Sequence, residues 1–346
     1  MRHPDPRPRA RVLAVGLGLT AAAILPSGLA GASDKYQWAA LGDSFTTGVF
    51  VGEPRPALGD ASRDGCDRTA NAYPDLVDRA LAASPPGKPV RLTDVSCSGA
   101  TVADIATTRQ TPISPVQPPA GGWSALDQQT TRAELGDGTD VVTIGIGAND
   151  LPFGVMLLKC LELGHAGRAG RSCRDYYTDP PEGEASIRDR LDRLQDEFIG
   201  MLAKVHRAAP NAKVITVGYP AVLPEKGSAC TGGDPTQLGS ITADDINWLR
   251  DEVLAPLNRT IQRVSEAFGD RYVDVHASSV GHDACRPEET RWVEGLCGNA
   301  EDHWPGSFLN CAAIDKRTTL AHPNAAGYAD TAAHVERAIR DALLEH

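Results

Sequence analysis

Five short apolar runs, separated by helical or irregular stretches, constrain the fold of this chain more than any other feature. They occupy residues 36–42, 90–95, 140–147, 213–218 and 271–275, and the clearest is Asp140-Val-Val-Thr-Ile-Gly-Ile-Gly147. Apolar runs that are continuous more than alternating belong to strands covered on both faces, as in a parallel sheet. Between them the spacing of Tyr73, Leu76, Val77, Ala80 and Leu81 predicts a helix over 73–83, with Asn71 suited to cap it. Further helices are predicted over 184–208, over 242–268 with a kink at Pro256, and over 324–344. The alternation predicts a single-domain α/β fold, flavodoxin-like, with three α/β/α layers around a parallel sheet of about five strands.

The runs end in unusual residues. The first breaks at Gly42-Asp43-Ser44, the second at Ser96-Cys97-Ser98-Gly99-Ala100-Thr101 and the third at Ala148-Asn149-Asp150. In an open parallel sheet the carboxyl ends of the strands are where ligands bind, so Ser44, Gly99 and Asn149 are expected to meet on one edge. A serine at a strand-to-helix break has an accessible hydroxyl with N–H donors around it, which suits nucleophilic chemistry if a base is supplied. The candidate base is His322, in Ala321-His322-Pro323-Asn324, just ahead of the last predicted helix.

Residues 1–32 are set apart from this pattern. Arg2, Arg7, Arg9 and Arg11 precede an apolar run over 12–25, and Ala30-Gly31-Ala32 offers small residues for cleavage, so a secretory signal peptide removed near Ala32 is expected. The leader carries four Arg against one Asp, which leaves −14 on the remaining domain, 33–346, of a chain whose total is −11. That balance excludes nucleic acid as a partner and disfavours an anionic membrane surface. Stable membrane insertion is not expected, and the protein is expected to be a monomer. All eight cysteines (Cys66, Cys97, Cys160, Cys173, Cys230, Cys285, Cys297 and Cys311) follow the leader, and an even count in an exported chain predicts disulfides. No C-x-x-C spacing suggests a metal, and no cofactor is expected.

Taken together, the blocks GDSFTTG, SCSGAT, GIGAND and HPNAAGY, in this order, resemble the SGNH (GDSL) hydrolase superfamily, above all its secreted actinobacterial esterases and lipases. The resemblance spans most of the chain after the leader. It implies a serine hydrolase that cleaves carboxylic esters of lipids or other small molecules, with Ser44 as nucleophile and His322 as general base. The Ser44 N–H, the Gly99 N–H and the Asn149 side-chain amide would form the oxyanion hole. Asp43 is expected to fix the turn through side-chain-to-backbone bonds. The resemblance further implies the pairs Cys66–Cys97, Cys160–Cys173, Cys230–Cys285 and Cys297–Cys311, which would staple long loops at the active edge.

One position departs from the pattern. Many members place an aspartate three residues before the histidine, and here that residue is Thr319. Either Asp315, the nearest upstream acid, or a main-chain carbonyl would then orient the imidazole. Two other functions share these blocks: a carbohydrate acetyl esterase, and a secreted binding protein whose site is dead. No block is degraded in a way that favours the latter. No G-x-S-x-G elbow, Walker loop or dinucleotide fingerprint is present. The sequon at Asn258 falls in a predicted helix, and Trp292 and Trp304 are expected in packing more than in an acyl pocket.

Overall fold

The computed structural model describes residues 34–165 and 170–344; the expected signal peptide lies outside the described residues. Five parallel strands form the central sheet: β1 (Tyr36–Gly42), β2 (Val90–Asp94), β3 (Val141–Gly145), β4 (Lys213–Val217) and β5 (Arg271–Val273). Their order is β2-β1-β3-β4-β5, with Leu41 beside Ile144 and Gly42 beside Gly145 in register. The order reverses at β1, so the crevice between the carboxyl ends of β1 and β3 is the topological switch point, where such sheets bind ligands.

The pleat of these strands sorts their side chains into two cores. Ala39, Leu41, Val142, Ile144 and Val214 face one core, which is covered by helices that include Ile187–Ala208 and Ala255–Phe268. Trp38, Ala40, Val141, Ile215 and Val217 face the other, beneath the helices Tyr73–Ala83 and Ala325–Leu344. The inner strands β1, β3 and β4 are therefore covered on both faces, which is why their apolar runs are continuous. The edge strands β2 and β5 are only partly buried. This is the three-layer α/β/α arrangement that the alternation predicts.

Some local expectations are corrected. Ala72, not Asn71, caps the helix at Tyr73, and it does so without a side-chain bond. The run 242–268 is not simply kinked at Pro256. It begins with Thr242 capping Asp245, widens into a π-turn over Leu249–Leu254 and resumes as Ala255–Phe268. Within the π-turn the Ala255 N–H reaches back to Arg250 O. Pro256, which lacks an N–H, thus falls in the first turn of the resumed helix, where none is needed. A helix not anticipated from sequence covers Phe153–His165, directly after Asn149.

The four disulfides join Cys66 to Cys97, Cys160 to Cys173, Cys230 to Cys285 and Cys297 to Cys311. None lies in the five-stranded sheet. Cys160–Cys173 joins the helices Phe153–His165 and Cys173–Thr178, Cys297–Cys311 ties a short strand to the 3-10 segment Phe308–Ile314, and the other two join connecting segments. Cys66–Cys97 is reinforced by the Ser98 N–H donating to Cys66 O at 3.0 Å, so the turn carrying Gly99 is held twice. A two-residue antiparallel pair, β6 (Cys297–Gly298) with β7 (Arg317–Thr318), leads into the segment that carries His322.

Candidate active site

Ser44 is the first residue of a single helical turn, Ser44–Thr47, that starts as soon as β1 ends. Asp43 caps that turn, its Oδ1 accepting from the Phe45 N–H at 2.9 Å. The pairing of β1 with β3 runs one step beyond the strand, because the Asp43 N–H donates to Gly145 O at 3.0 Å. Just before it, the Gln129 side chain clamps Gly42: its Oε1 accepts from the Gly42 N–H at 2.7 Å and its Nε2 donates to Gly42 O at 2.9 Å. The serine thus leaves a strand end that is fixed on every side.

Across the edge, His322 Nε2 lies 2.8 Å from Ser44 Oγ. Its Nδ1 lies 2.9 Å from Thr319 O and 3.1 Å from Leu320 O. Two carbonyls on Nδ1 require the proton there, which leaves the Nε2 lone pair for the serine. Asp315 is not brought to the imidazole. It is an exposed residue with φ 57° that ends the short 3-10 segment Phe308–Ile314. Thr319, at the position where an acid was expected, is fully buried and its hydroxyl donates to Gly295 O at 2.9 Å. A carboxylate there would have no proton to donate to that carbonyl.

The histidine loop takes an unusual path to aim those carbonyls. Leu320 and Ala321 have φ of 45° and 58°, a left-handed conformation that non-glycine residues rarely adopt. Backbone bonds to a neighbouring segment hold it. The Thr319 and Leu320 N–H groups both donate to Leu296 O (3.0 and 3.2 Å), and the Ala321 N–H donates to Gly295 O at 2.8 Å. The Glu294 N–H donates to His322 O at 2.9 Å, and Glu294 is itself paired with Arg291 at 2.7 Å in a buried ion pair.

Phe45 stacks on His322 at 4.7 Å, and Phe50 meets it edge-on at 5.2 Å. Desolvation by this setting holds the imidazolium form down, to about 4, against the opposing pull of the two carbonyls. Asp43 is fully buried, and desolvation raises its carboxyl to about 7 even though Tyr219 and the Phe45 N–H both bond to it. Asp150, beside Asn149, is likewise raised to about 7 by burial.

Gly99 and Asn149 come to the same edge. Ser98 and Ala100 donate inward, to Cys66 O and Cys97 O, while the Gly99 N–H between them has no protein acceptor among the described residues. Gly99 has φ 79°, and a Cβ there would sit 2.8 Å from Ile113 Cδ1. Asn149 Nδ2 donates to Ala100 O at 2.8 Å, and both Asp150 carboxylate oxygens accept from the Val102 N–H (3.2 and 3.1 Å), so the two turns are laced together. Among the described residues no group of three or more His, Cys, Asp or Glu side chains could hold a metal ion.

The residues 40–329 match the profile of the GDSL-like Lipase/Acylhydrolase family. The chain belongs to that family. Membership makes it a carboxylic ester hydrolase. It is 32% identical to Lipase 2 of Streptomyces coelicolor over 83% of this chain and 86% of that one. It is 26% identical to an esterase of Streptomyces scabiei over 92% and 90% of the two chains. The fold is shared with a crystal structure of an extracellular lipase from Streptomyces rimosus, at TM-score 0.55 and 21% identity, over 89% of this chain and 99% of that one.

Several residues that shape this edge belong to none of the four sequence blocks. Gln129, Tyr219 and Asn258 act through bonds to main chain or to distant side chains, across tens of residues. Asn258 is buried with its amide committed to the Tyr219 main chain, so the sequon is not a surface acceptor. Trp304 is buried edge-on against Phe50 and Trp292 stacks on His282, both as packing.

Proposed function

We propose that this GDSL-family hydrolase cleaves esters through a Ser44–His322 dyad in which main-chain carbonyls take the place of the acid. The single observation that carries the reading is the 2.8 Å contact between Ser44 Oγ and His322 Nε2. Ser44 Oγ attacks the acyl carbonyl carbon while its proton passes to Nε2. The carbonyl oxygen becomes an oxyanion, received by the N–H groups of Ser44 and Gly99 and by the Asn149 amide. Collapse breaks the bond to the alcohol oxygen, which takes the proton from Nε2 and leaves. Water then attacks the acyl-enzyme, with Nε2 again accepting a proton and returning it to Ser44 Oγ as the carboxylic acid departs.

The substrates in this reading are aliphatic acyl esters of lipids or small alcohols. Ile113, 70% exposed and packed against Gly99, gives the oxyanion side of the site an apolar wall, and Phe45 and Phe50 give the histidine side another. Residues 1–32 are read as a cleaved signal peptide ahead of one exported domain, 33–346, a reading that four disulfides support. The domain is read as a monomer, since one chain supplies every site residue. Among the described residues no helix is long and apolar enough to cross a membrane.

The test is covalent labelling of Ser44 by an alkyl phosphonate, with Ser44→Ala assayed on p-nitrophenyl esters from acetate to decanoate. Expected are a single adduct on Ser44, loss of turnover in the variant at an unchanged melting temperature, and activity that persists with longer chains. Turnover retained in Ser44→Ala removes the nucleophile, and activity confined to acetate moves the enzyme to acetyl esters.

A further inference from the structure

We propose that Tyr219 is a positioning residue of this centre, whose hydroxyl locks the turn carrying Ser44 to the turn carrying Asn149. The inference rests on the Ser44–His322 reading above and adds to it a residue that touches no reacting atom.

Tyr219 stands just beyond the end of β4 and is 2% exposed. Its Oη accepts from the Ala148 N–H at 2.9 Å and donates to Asp43 Oδ2 at 2.5 Å. The first partner is the residue before Asn149 and the second is the residue before Ser44. Asp43 Oδ1 accepts from the Phe45 N–H, so the carboxylate spans the start of the nucleophile turn. The tyrosine ring meets Phe45 edge-on at 5.1 Å, and Phe45 in turn stacks on His322. One side chain therefore contacts the supports of the nucleophile, of the oxyanion amide and of the base.

The tyrosine is itself anchored from behind. Asn258, on the helix Ala255–Phe268, accepts from the Tyr219 N–H at 2.8 Å and donates to Tyr219 O at 2.9 Å. Its main chain is thus held on one side and its hydroxyl is spent on the other. An ordinary core tyrosine needs one partner for its hydroxyl. Here the acceptor and donor capacities bridge two strand ends whose relative position sets the distance from Ser44 Oγ to the Asn149 amide. Misplacement of a catalytic group by about 1 Å costs roughly 10²-fold in rate.

The experiment is a double-mutant cycle between Tyr219→Phe and Asn149→Ala, read as kcat and KM on a p-nitrophenyl ester. Alone, Tyr219→Phe is expected to lower kcat by roughly 10–100-fold with KM within about 3-fold, a part of the roughly 10²–10³ that loss of an oxyanion donor costs. In the Asn149→Ala background the same change is expected to cost under about 3-fold, because the group it positions is already gone. Equal factors in both backgrounds, no loss of kcat, or a loss confined to KM would overturn the proposal. If Tyr219→Phe does not yield folded protein, the cycle is run with Asp43→Asn, which alters the acceptor of the same bond, under the same criteria. A silent Tyr219→Phe in an enzyme still labelled at Ser44 rejects this inference alone, whereas turnover in Ser44→Ala rejects the dyad beneath it.

Discussion

The Nδ1 of His322 lies 2.9 Å from the carbonyl oxygen of Thr319, three residues earlier, and the buried Thr319 side chain is turned away to bond Gly295 O. The support for the imidazole thus comes from backbone geometry, held by left-handed conformations at Leu320 and Ala321. On that geometry Asp315, exposed at the end of the 3-10 segment, is expected to be dispensable. Asp315→Asn is expected to change kcat/KM by less than about 3-fold. A loss near 10⁴, as found when a triad carboxylate is neutralised, would show that the acid reaches His322 in the working enzyme.

A base supported by carbonyls alone also titrates low. Burial holds His322 down to about 4 from its ordinary 6.5, with no carboxylate bonded to its ring to raise it. Protonated Nε2 cannot accept the Ser44 proton, so activity is lost as pH falls through the pKa of the free enzyme. For a neutral ester, kcat/KM is expected to stay level from about pH 8 down to pH 5.5 and to reach half its value near 4. A half-loss near 6.5 would mean that the imidazole is solvated, or held by an anion, in solution.

The parts of this architecture that were legible in the sequence are the local ones. The strands stand out because a sheet covered on both faces demands unbroken apolar runs, and Ser44, Gly99 and Asn149 stand out because each lies a few residues beyond such a run. Tyr219 and Asn258 do not declare their roles that way: Tyr219 directly follows the run 213–218, but its bond to Asp43 spans 176 residues, and Asn258, marked in the sequence only as a sequon, reaches Tyr219 across 39. The helix Phe153–His165 was missed because its Val, Met and Leu residues crowd together without a clear polar face. Asn71 has the chemistry of a cap, yet the chain enters the helix at Ala72 with Pro74 in the first turn, and no side chain is used. Asp315 was the nearest acid in the chain, but distance along the sequence says nothing of direction after two left-handed residues.

Gly99 offers a separable steric test. Its φ of 79° carries a strain of roughly 1–2 kcal/mol for any side-chain-bearing residue, and a Cβ would press on Ile113 Cδ1 at 2.8 Å. Gly99→Ala is expected to lower kcat by roughly 10²-fold through displacement of its N–H. Adding Ile113→Ala should return part of the loss, because the end of a flexible side chain yields while the backbone strain remains. On its own, Ile113→Ala should reduce the ratio of octanoate to acetate turnover, since it removes apolar surface only where a longer chain would lie. An unchanged ratio would place the acyl chain elsewhere.

Stability should depend on pH in a direction opposite to that of a surface-paired protein. Burial raises Asp43 and Asp150 to about 7 and Asp67 and Asp94 to about 6, from 3.8. Between about pH 4 and pH 7 the folded state binds more of these protons than the unfolded chain, so their contribution is complete below about 4 and is lost as pH rises to about 7. His322 works the other way: its depressed pKa costs stability as pH falls from 6.5 to about 4. Burial also raises Asp75, Asp78 and Asp270, while His276 and His303 are lowered like His322 and the exposed Asp60, Asp189 and Glu288 are lowered by hydrogen bonds. Because the large carboxyl and imidazole shifts, His322 apart, are those of the four buried carboxyls, the melting temperature is expected to be higher at pH 5 than at pH 8, and the difference should survive high salt. Thermal unfolding followed by circular dichroism at both pH values checks this. A higher melting temperature at pH 8 would mean that these carboxyls ionise inside the fold with compensation from cations.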